Sequence, residues 1–259
     1  MIRSYIIFLK SFPINVAVWK LKCIIFKIKI TSVVKWQQLI KDKAGVEIGG
    51  PSGIFDSNGY LPVYPVIREL DGVNFSQKTL WEGTLKEGAF FKYENKYGYQ
   101  YIAEGTDLPV IKNEQYGFVL SCNNLEHIAN PLKALFEWKR ILKDKGILIL
   151  IVPNKKWNFD HLRPYTTFEH IVDDYKNNTD ENDLAHLVEI LKLHDLKRDP
   201  QAENFIAFEK RSKNNYENRS LHHHVFNLEL LQKMIDYAGM KLLLQHTSKA
   251  DFFIAAQKY

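Results

Sequence analysis

The stretch that decides the fold is Val46-Glu47-Ile48-Gly49-Gly50-Pro51-Ser52-Gly53. An apolar run that carries one acid leads into a glycine-rich turn, the pattern of a buried strand, a sharp turn and a following helix. Glycine lets the backbone take positive φ and approach a ligand closely, and the N–H groups that begin a helix bind anionic groups. A glycine turn that only redirects the chain gives the same pattern, so the octet alone leaves both interpretations open.

The composition indicates an ordinary globular protein. The chain has 259 residues, of which 46% are hydrophobic and 25% charged, as in most folded domains. The net charge is +5, and much of the excess lies near the N-terminus, so we expect no nucleic-acid partner. Cys23 and Cys122 are too far apart to indicate a disulfide framework or a zinc motif. We therefore expect a reduced, cytoplasmic location.

Residues 1–34 form a basic and apolar N-terminal extension. Lysines interrupt it before any run reaches the roughly 18 apolar residues of a membrane span, and Lys10 together with the lack of a small-residue cleavage site excludes a signal peptide. Two interpretations remain. The favoured one is a helical segment that packs on the domain, and the other is an amphipathic segment that rests on an anionic membrane surface.

Strand and helix patterns alternate over residues 35–259, which predicts a doubly wound α/β sheet. The aliphatic run 147–152 is typical of a central parallel strand. The last two predicted strands, 242–245 and 252–256, are joined too closely for a parallel crossover, so we expect an antiparallel hairpin. Residues 154–224 differ in being polar and in holding seven of the nine histidines, and we predict a helical, lid-like insertion there.

Three motifs together resemble class I S-adenosylmethionine-dependent methyltransferases of the type 11 group. They are the acid-and-glycine loop 47–53, the segment Leu125-Glu126-His127 followed by Asn130-Pro131, and the run 140–148. The loop is similar to that of a bacterial subgroup with Glu-Ile-Gly-Gly-Pro-Ser. The resemblance implies a Rossmann-like, seven-stranded, mostly parallel sheet with a final antiparallel strand, a methyltransferase-like domain over 35–259, and S-adenosylmethionine as cofactor.

The resemblance also implies which residues bind the cofactor. We expect Glu47, Gly49, Gly50, Ser52 and Gly53 at the methionine part, Asn74 at the ribose, Glu104 or Asp107 with Leu108 at the adenine, and Ser121 below the sulfonium. Asp107 could instead cap a turn, and Ser121 could be a packed strand end. Pro51 departs from the family pattern because it lacks an N–H donor, and Asn74 because its amide carries no charge.

Methyl transfer to oxygen needs alignment and a base near neutral pKa. His127 follows the fourth family strand and Asp160-His161 follows the fifth, so these are the candidate catalytic residues. A packing or capping role for His127 is the alternative. The polar insertion favours a hydroxylated acceptor, so the sequence predicts O-methylation of a small molecule or a glycan-linked group.

Metal binding is the second chemistry that the histidines could serve. His186, Glu189 and His194 fall near one helix face, and residues 222–224 could complete a site, but adjacent histidines point in different directions. We therefore predict no metal. Two further functions stay open: a non-catalytic fold that acts as a binding or membrane-surface module, and a nicotinamide-dependent oxidoreductase, whose Gly-x-Gly-x-x-Gly pattern fits this loop poorly.

Overall fold

The computed structural model describes residues 14–199 and 201–259. Within them an eight-stranded sheet runs in the order β5-β6-β2-β1-β7-β8-β10-β9, and β3 and β4 form a separate hairpin. The strands are β1 (Ala44–Ile48), β2 (Glu69–Asn74), β3 (Lys78–Thr79), β4 (Gly83–Thr84), β5 (Gly88–Tyr93), β6 (Lys96–Ile102), β7 (Tyr116–Cys122), β8 (Leu142–Pro153), β9 (Met240–Thr247) and β10 (Asp251–Lys258).

The sheet has the predicted doubly wound, mostly parallel character. Strands β6, β2, β1, β7 and β8 are parallel to one another. Strand β10 is antiparallel to both β8 and β9, which confirms the predicted C-terminal hairpin. Strand β5 adds an eighth, antiparallel strand at the edge beside β6. Strand β5 was not predicted, because four of its six residues are only partly buried or exposed and its sequence therefore has a weak apolar pattern.

Eight α-helices are described in these residues. They are α1 (Ile14–Ile25), α2 (Val33–Ile40), α3 (Pro131–Ile141), α4 (Phe168–Lys176), α5 (Leu187–Leu193), α6 (Phe205–Lys213), α7 (Asn215–Asn218) and α8 (Leu228–Tyr237). The last helix and the following strand β9 are joined at Gly239, whose φ of 64° lies in the left-handed region that favours glycine. Helices α4 to α7 lie within the polar segment after β8.

The two faces of the sheet are covered differently. On one face the apolar sides of α3 and α8, with Trp138 and Met234, pack against the aliphatic strands. The opposite face is covered by α2, with Trp36, and by the loop that follows β1, with Phe55 and Tyr64. Burial of these side chains stabilises the sheet by roughly 2 kcal/mol for each large apolar residue.

The helix predicted directly after the glycine turn is absent from the described chain. One 3-10 turn, Gly53–Phe55, follows the loop, and a second, Tyr64–Val66, precedes β2. The reason is the sequence between them: Pro51, Pro62 and Pro65 each lack the N–H that a continuous helix requires. The strand-end turn therefore offers loop backbone, and no α-helix N-terminus, to a ligand.

Helix α1 packs on the domain along one side only. Val16 is buried, and the Trp19 ring meets Tyr60 edge to face with centroids 5.4 Å apart. Ile14 and Ile25 remain 84% and 61% exposed. Residues 1–13 lie outside the described chain, and no described helix is long and apolar enough to cross a membrane.

Candidate active site

A cleft lies at the carboxyl ends of the central parallel strands, where open α/β sheets bind their ligands. We call it the strand-end cleft. It is lined by Ile48, Gly49, Val73, Asn74, Phe75, Trp81, Ala103, Glu104, Gly105, Asn124, His127, Ile128, Glu181 and Arg219. Four strands, β1, β2, β6 and β7, deliver most of these residues, so side chains that are distant in sequence meet at one edge.

Two glycines give the loop after β1 its shape. Gly49 has φ of 82°, and a Cβ there would lie 2.7 Å from Asn124 Oδ1. A Cβ on Gly50 would lie 2.2 Å from the carboxyl carbon of Glu47. The Asn74 amide donates to the Gly50 carbonyl at 3.0 Å, which ties the loop to the end of β2. Any larger residue at either glycine would therefore displace the groups that border the cleft.

Glu47 is fully buried beneath this loop. The Tyr64 hydroxyl donates to its Oε2 at 2.5 Å and in turn accepts from the Ser52 N–H at 2.9 Å. Its other oxygen, Oε1, has no hydrogen-bond partner in the described chain. Burial raises the pKa of Glu47 to about 7, because a carboxylate without solvation is costly. A cation bound close to Glu47 would stabilise its charged form and lower this pKa.

The roof of the cleft comes from the polar insertion. Arg219 forms an ion pair with Glu104 and lies over the Phe75 ring at 5.1 Å. Glu181 Oε2 and Asn124 Nδ2 are buried without hydrogen-bond partners, and burial raises the pKa of Glu181 to about 7. The space left inside is about 30 Å³, which holds about one water. A larger ligand needs the roof to move outward.

The other predicted cofactor residues occupy different surroundings. Ser52 and Gly53 border an open depression beside the β5–β6 turn, outside the strand-end cleft. Asp107 is exposed and its neighbour Leu108 is fully buried in the core. Ser121 is buried in β7 opposite Ile48, and its Oγ has no partner. Glu104 lines the cleft and Asp107 does not, so the geometry favours Glu104 of that pair.

A second space of about 410 Å³ adjoins the cleft, and we call it the acceptor pocket. It is lined by Lys20, Leu80, Trp81, Asn123, Glu126, His127, Pro153, Asn158, Phe159, Arg198, Asp199, Gln201, Arg211, Ser220, His222, Ala250 and Asp251. Trp81 and His127 border both spaces. They therefore mark the boundary across which a group could pass from one bound molecule to another.

A buried acid and histidine pair stands at this pocket. Asp160 Oδ2 accepts from His222 Nδ1 at 2.5 Å, and its Oδ1 accepts from Arg163 Nη1 at 3.0 Å. Burial opposes the charge on Asp160, but His222 and Arg163 outweigh it and hold its pKa below the ordinary value. Burial likewise opposes protonation of His222, yet the Asp160 carboxylate raises its pKa above the ordinary value.

His127 faces His222 edge to face, with ring centroids 4.6 Å apart. Its Nδ1 lies 3.0 Å from the Leu221 carbonyl, which only accepts, so Nδ1 carries the proton and Nε2 the lone pair. Burial lowers the pKa of His127 well below its ordinary value. Both carboxylate oxygens of the adjacent Glu126 lack partners, and burial raises the pKa of Glu126 to about 7.

The structure separates the two residues of the predicted Asp160-His161 motif. Asp160 is buried at His222, whereas His161 turns away and its Nε2 lies 3.0 Å from Asp195 Oδ2. His161 borders neither the cleft nor the acceptor pocket. His222 lies in the predicted lid but outside the predicted catalytic set, because a sequence separation of 62 from Asp160 hides their pairing.

Comparisons with known proteins agree with this architecture. Residues 66–150, from just before β2 to near the end of β8, match a family model described as a methyltransferase domain. The glycine loop lies outside the matched range. A search of the curated proteins finds no significant match.

Solved structures with a similar fold include three methyltransferase structures. One protein from Bacillus halodurans C-125, described as a methyltransferase, is 12% identical, with 88% of this chain and 99% of that one covered and a TM-score of 0.48. A SAM-dependent methyltransferase from Methanosarcina mazei is 12% identical, with 89% of this chain and 99% of that one covered and a TM-score of 0.45. A SAM-dependent methyltransferase from Aquifex aeolicus is 12% identical, with 88% of each chain covered and a TM-score of 0.43.

The domain match, together with the strand order and the strand-end cleft, defines the class: the protein is an S-adenosylmethionine-dependent methyltransferase. S-adenosylmethionine is its cofactor. The residues present fit this molecule, because Glu181 in the cleft lining and Glu47 buried beneath the adjacent loop each keep an unpartnered oxygen toward which a cationic group would be attracted. The absence of a side chain at Gly49 keeps the backbone of the loop accessible at the border of the cleft, where a Cβ would lie 2.7 Å from Asn124 Oδ1.

Proposed function

We propose that the protein methylates a hydroxyl oxygen of a small molecule or glycan-linked group bound in the acceptor pocket. The observation that carries this proposal is the buried Asp160–His222 pair, 2.5 Å apart, in a pocket that shares His127 and Trp81 with the strand-end cleft. A hydroxyl must lose its proton as oxygen is methylated, and this pair is built to receive it.

The contact with Asp160 determines the role of each ring nitrogen of His222. In the neutral form of His222, which is populated at pH above its raised pKa, Asp160 holds the Nδ1 proton and the Nε2 lone pair takes the proton from the acceptor hydroxyl. Arg163 donates to the other Asp160 oxygen and also to the His222 carbonyl at 2.8 Å. It thereby fixes both members of the pair. When bound, S-adenosylmethionine supplies the electrophilic methyl group.

Polar residues of the acceptor pocket support a hydroxylated substrate. Its lining offers amides and guanidinium groups from Asn123, Asn158, Arg198, Gln201 and Arg211. Such donors discriminate strongly for hydroxyl groups, because they would be left unpaired by an apolar molecule. A non-catalytic module is not favoured, since the buried charges of Asp160 and Arg163 behind this pocket cost free energy that a fold alone does not require.

Two variants test the proton-accepting pair. Asp160→Asn and His222→Gln should each lower turnover at least ~100-fold on a panel of sugars and hydroxylated metabolites, followed as S-adenosylhomocysteine release. Calorimetry should show S-adenosylhomocysteine affinity within about twofold of wild type, because neither residue lines the strand-end cleft. His222→Gln leaves the buried Asp160–Arg163 ion pair intact, so this variant should fold even if Asp160→Asn does not.

The matched control is His161→Gln, which removes the histidine of another acid and histidine pair in the insertion and leaves the Asp195–Arg198 ion pair in place. It should keep turnover within about twofold of wild type. Wild-type turnover in both test variants would refute the role of the pair. Equal losses of turnover and cofactor affinity would assign the pair a structural role instead.

We further propose that α1 contacts an anionic membrane surface. Ile14, Val18, Leu21 and Ile25 are all exposed, and they repeat every three or four residues along one side of the helix. Lys22 and Lys27 lie beside this side of the chain and are exposed as well. An apolar stripe flanked by lysines binds the interface of anionic lipids.

A further inference from the structure

We infer that the insertion binds one divalent metal ion, with zinc the best fit, between His170, His186 and His224, with Asp174 beside them. One ring nitrogen from each histidine lies within 4.8 Å of one from each of the others. His170 and Asp174 lie one turn apart on α4. His186 immediately precedes α5, and His224 belongs to the extended segment before α8.

The separations are those of ligands around one ion. His170 Nε2 lies 2.9 Å from His186 Nε2 and 3.2 Å from Asp174 Oδ2. Tetrahedral ligands about 2.0–2.1 Å from zinc are about 3.3 Å apart. The three imidazole centroids are 4.8, 5.6 and 5.7 Å apart, so the rings converge without stacking.

The ring of His224 is oriented by a hydrogen bond from the nitrogen that would not bind the metal. Its Nε2 lies 3.1 Å from the Ala129 carbonyl, which only accepts, so Nδ1 carries the lone pair. That Nδ1 is buried and has no partner in the described chain. A second ring nitrogen that donates to a backbone carbonyl is the usual support of a metal-bound histidine.

Asp174 lies beside the three convergent histidines, with its Oδ2 nearest to His170 Nε2. Its Oδ1 accepts from the Thr179 hydroxyl at 3.1 Å, whereas its Oδ2 is buried and makes no hydrogen bond. Three imidazoles and one carboxylate form a donor set that suits zinc among the common divalent ions.

The sequence prediction of no metal considered a different set of ligands. In that predicted set, Glu189 forms an ion pair with Arg163 at 2.8 Å, and His194 lies 3.0 Å from Asp199. Two of its histidines, His186 and His224, do converge, and the missing partner is His170. Adjacent histidines do point apart, as expected, and for that reason only one of the run 222–224 enters this cluster.

The metal would join three separate segments of the insertion. His224 is two residues beyond His222, so an ion at this cluster would anchor the segment that carries the acceptor-pocket histidine. The cluster Glu126, His127 and His222 also brings ligand atoms within 4.8 Å of one another. It borders the acceptor pocket, which makes it the competing location that an experiment must separate.

The test is zinc titration of the chelator-stripped full chain, with bound zinc measured by mass spectrometry and cobalt substitution followed by visible absorption. We expect one zinc per chain and the cobalt spectrum of a tetrahedral site. His170→Ala and His186→Ala should each weaken zinc binding at least ~100-fold. Both side chains are only partly buried, so the variants should fold, and circular dichroism of the metal-free proteins checks this.

His161→Ala is the matched control, since it removes another lid histidine that pairs with an acid. It should leave zinc stoichiometry and affinity unchanged. Absence of zinc binding by the folded wild-type chain would overturn the proposal. Zinc retained at full affinity in both His170→Ala and His186→Ala would also overturn it, and would assign the ion to the cluster of Glu126, His127 and His222.

Discussion

Glu47→Gln should change how the stability of the protein depends on pH. Glu47 is fully buried, and burial raises its pKa from an ordinary 4.5 to about 7. The folded state therefore retains a proton that the unfolded state releases. As pH rises from about 4.5 to about 7, the unfolded state binds fewer protons, so the free energy of unfolding falls.

The size of the effect follows from the two pKa values. The difference between 4.5 and about 7, at about 1.4 kcal/mol for each pH unit, corresponds to about 3 kcal/mol. Glutamine has no proton to lose, and its amide oxygen can accept from the Tyr64 hydroxyl in place of Glu47 Oε2. The variant should therefore lack this part of the pH dependence.

Urea unfolding at about pH 5 and at about pH 8 measures the effect. Wild type should lose about 2.5 kcal/mol more than Glu47→Gln between the two conditions, because the unfolded carboxyl is already mostly ionised at about pH 5. Glu126 and Glu181 titrate with the same sign and stay in both proteins, so the difference isolates Glu47. Parallel losses in the two proteins would refute the reasoning that burial of this carboxyl sets its pKa.

Three further outcomes are expected. Arg219→Ala removes the bridge to Glu104 across the cleft and should speed S-adenosylhomocysteine association at least ~3-fold in stopped-flow fluorescence; an unchanged or slower rate would contradict a closing role. Trp81→Ala should weaken both S-adenosylhomocysteine and acceptor binding about 10-fold, because Trp81 borders both spaces; loss of only one would place it in a single site. Serine at the exposed Ile14 and Ile25 should abolish salt-sensitive co-sedimentation with anionic vesicles and leave cofactor affinity unchanged; undiminished sedimentation would refute the surface contact.

The sheet could be predicted from the sequence because its strands have local signals. Continuous aliphatic runs such as 147–152 mark central parallel strands, and the short link before β10 dictated the antiparallel hairpin. Strand β5 carried no such signal, since its residues are mostly exposed. The helix expected after the glycine turn failed for a reason visible in the sequence, the prolines at 51, 62 and 65.

The candidate site was only partly predictable. Gly49 follows β1 and Asn74 ends β2, so the topology alone brings them to one edge of the sheet, where both line the cleft. Arg219, Glu181 and His222 come from the insertion, and their positions depend on how its short helices pack. Pairings such as Arg219 with Glu104 span 115 residues, and no periodicity in the sequence reports contacts of that kind.

The central claim is that the strand-end cleft holds S-adenosylmethionine. Its most direct test is calorimetric titration of S-adenosylhomocysteine into wild type, Gly49→Val and Gly83→Val. Both glycines have positive φ, so both variants carry backbone strain, but a Cβ at Gly49 would lie 2.7 Å from Asn124 Oδ1 whereas one at Gly83 meets nothing within 4 Å. We predict one site in wild type and Gly83→Val and at least ~100-fold weaker binding in Gly49→Val. Equal affinity in all three proteins would contradict the account.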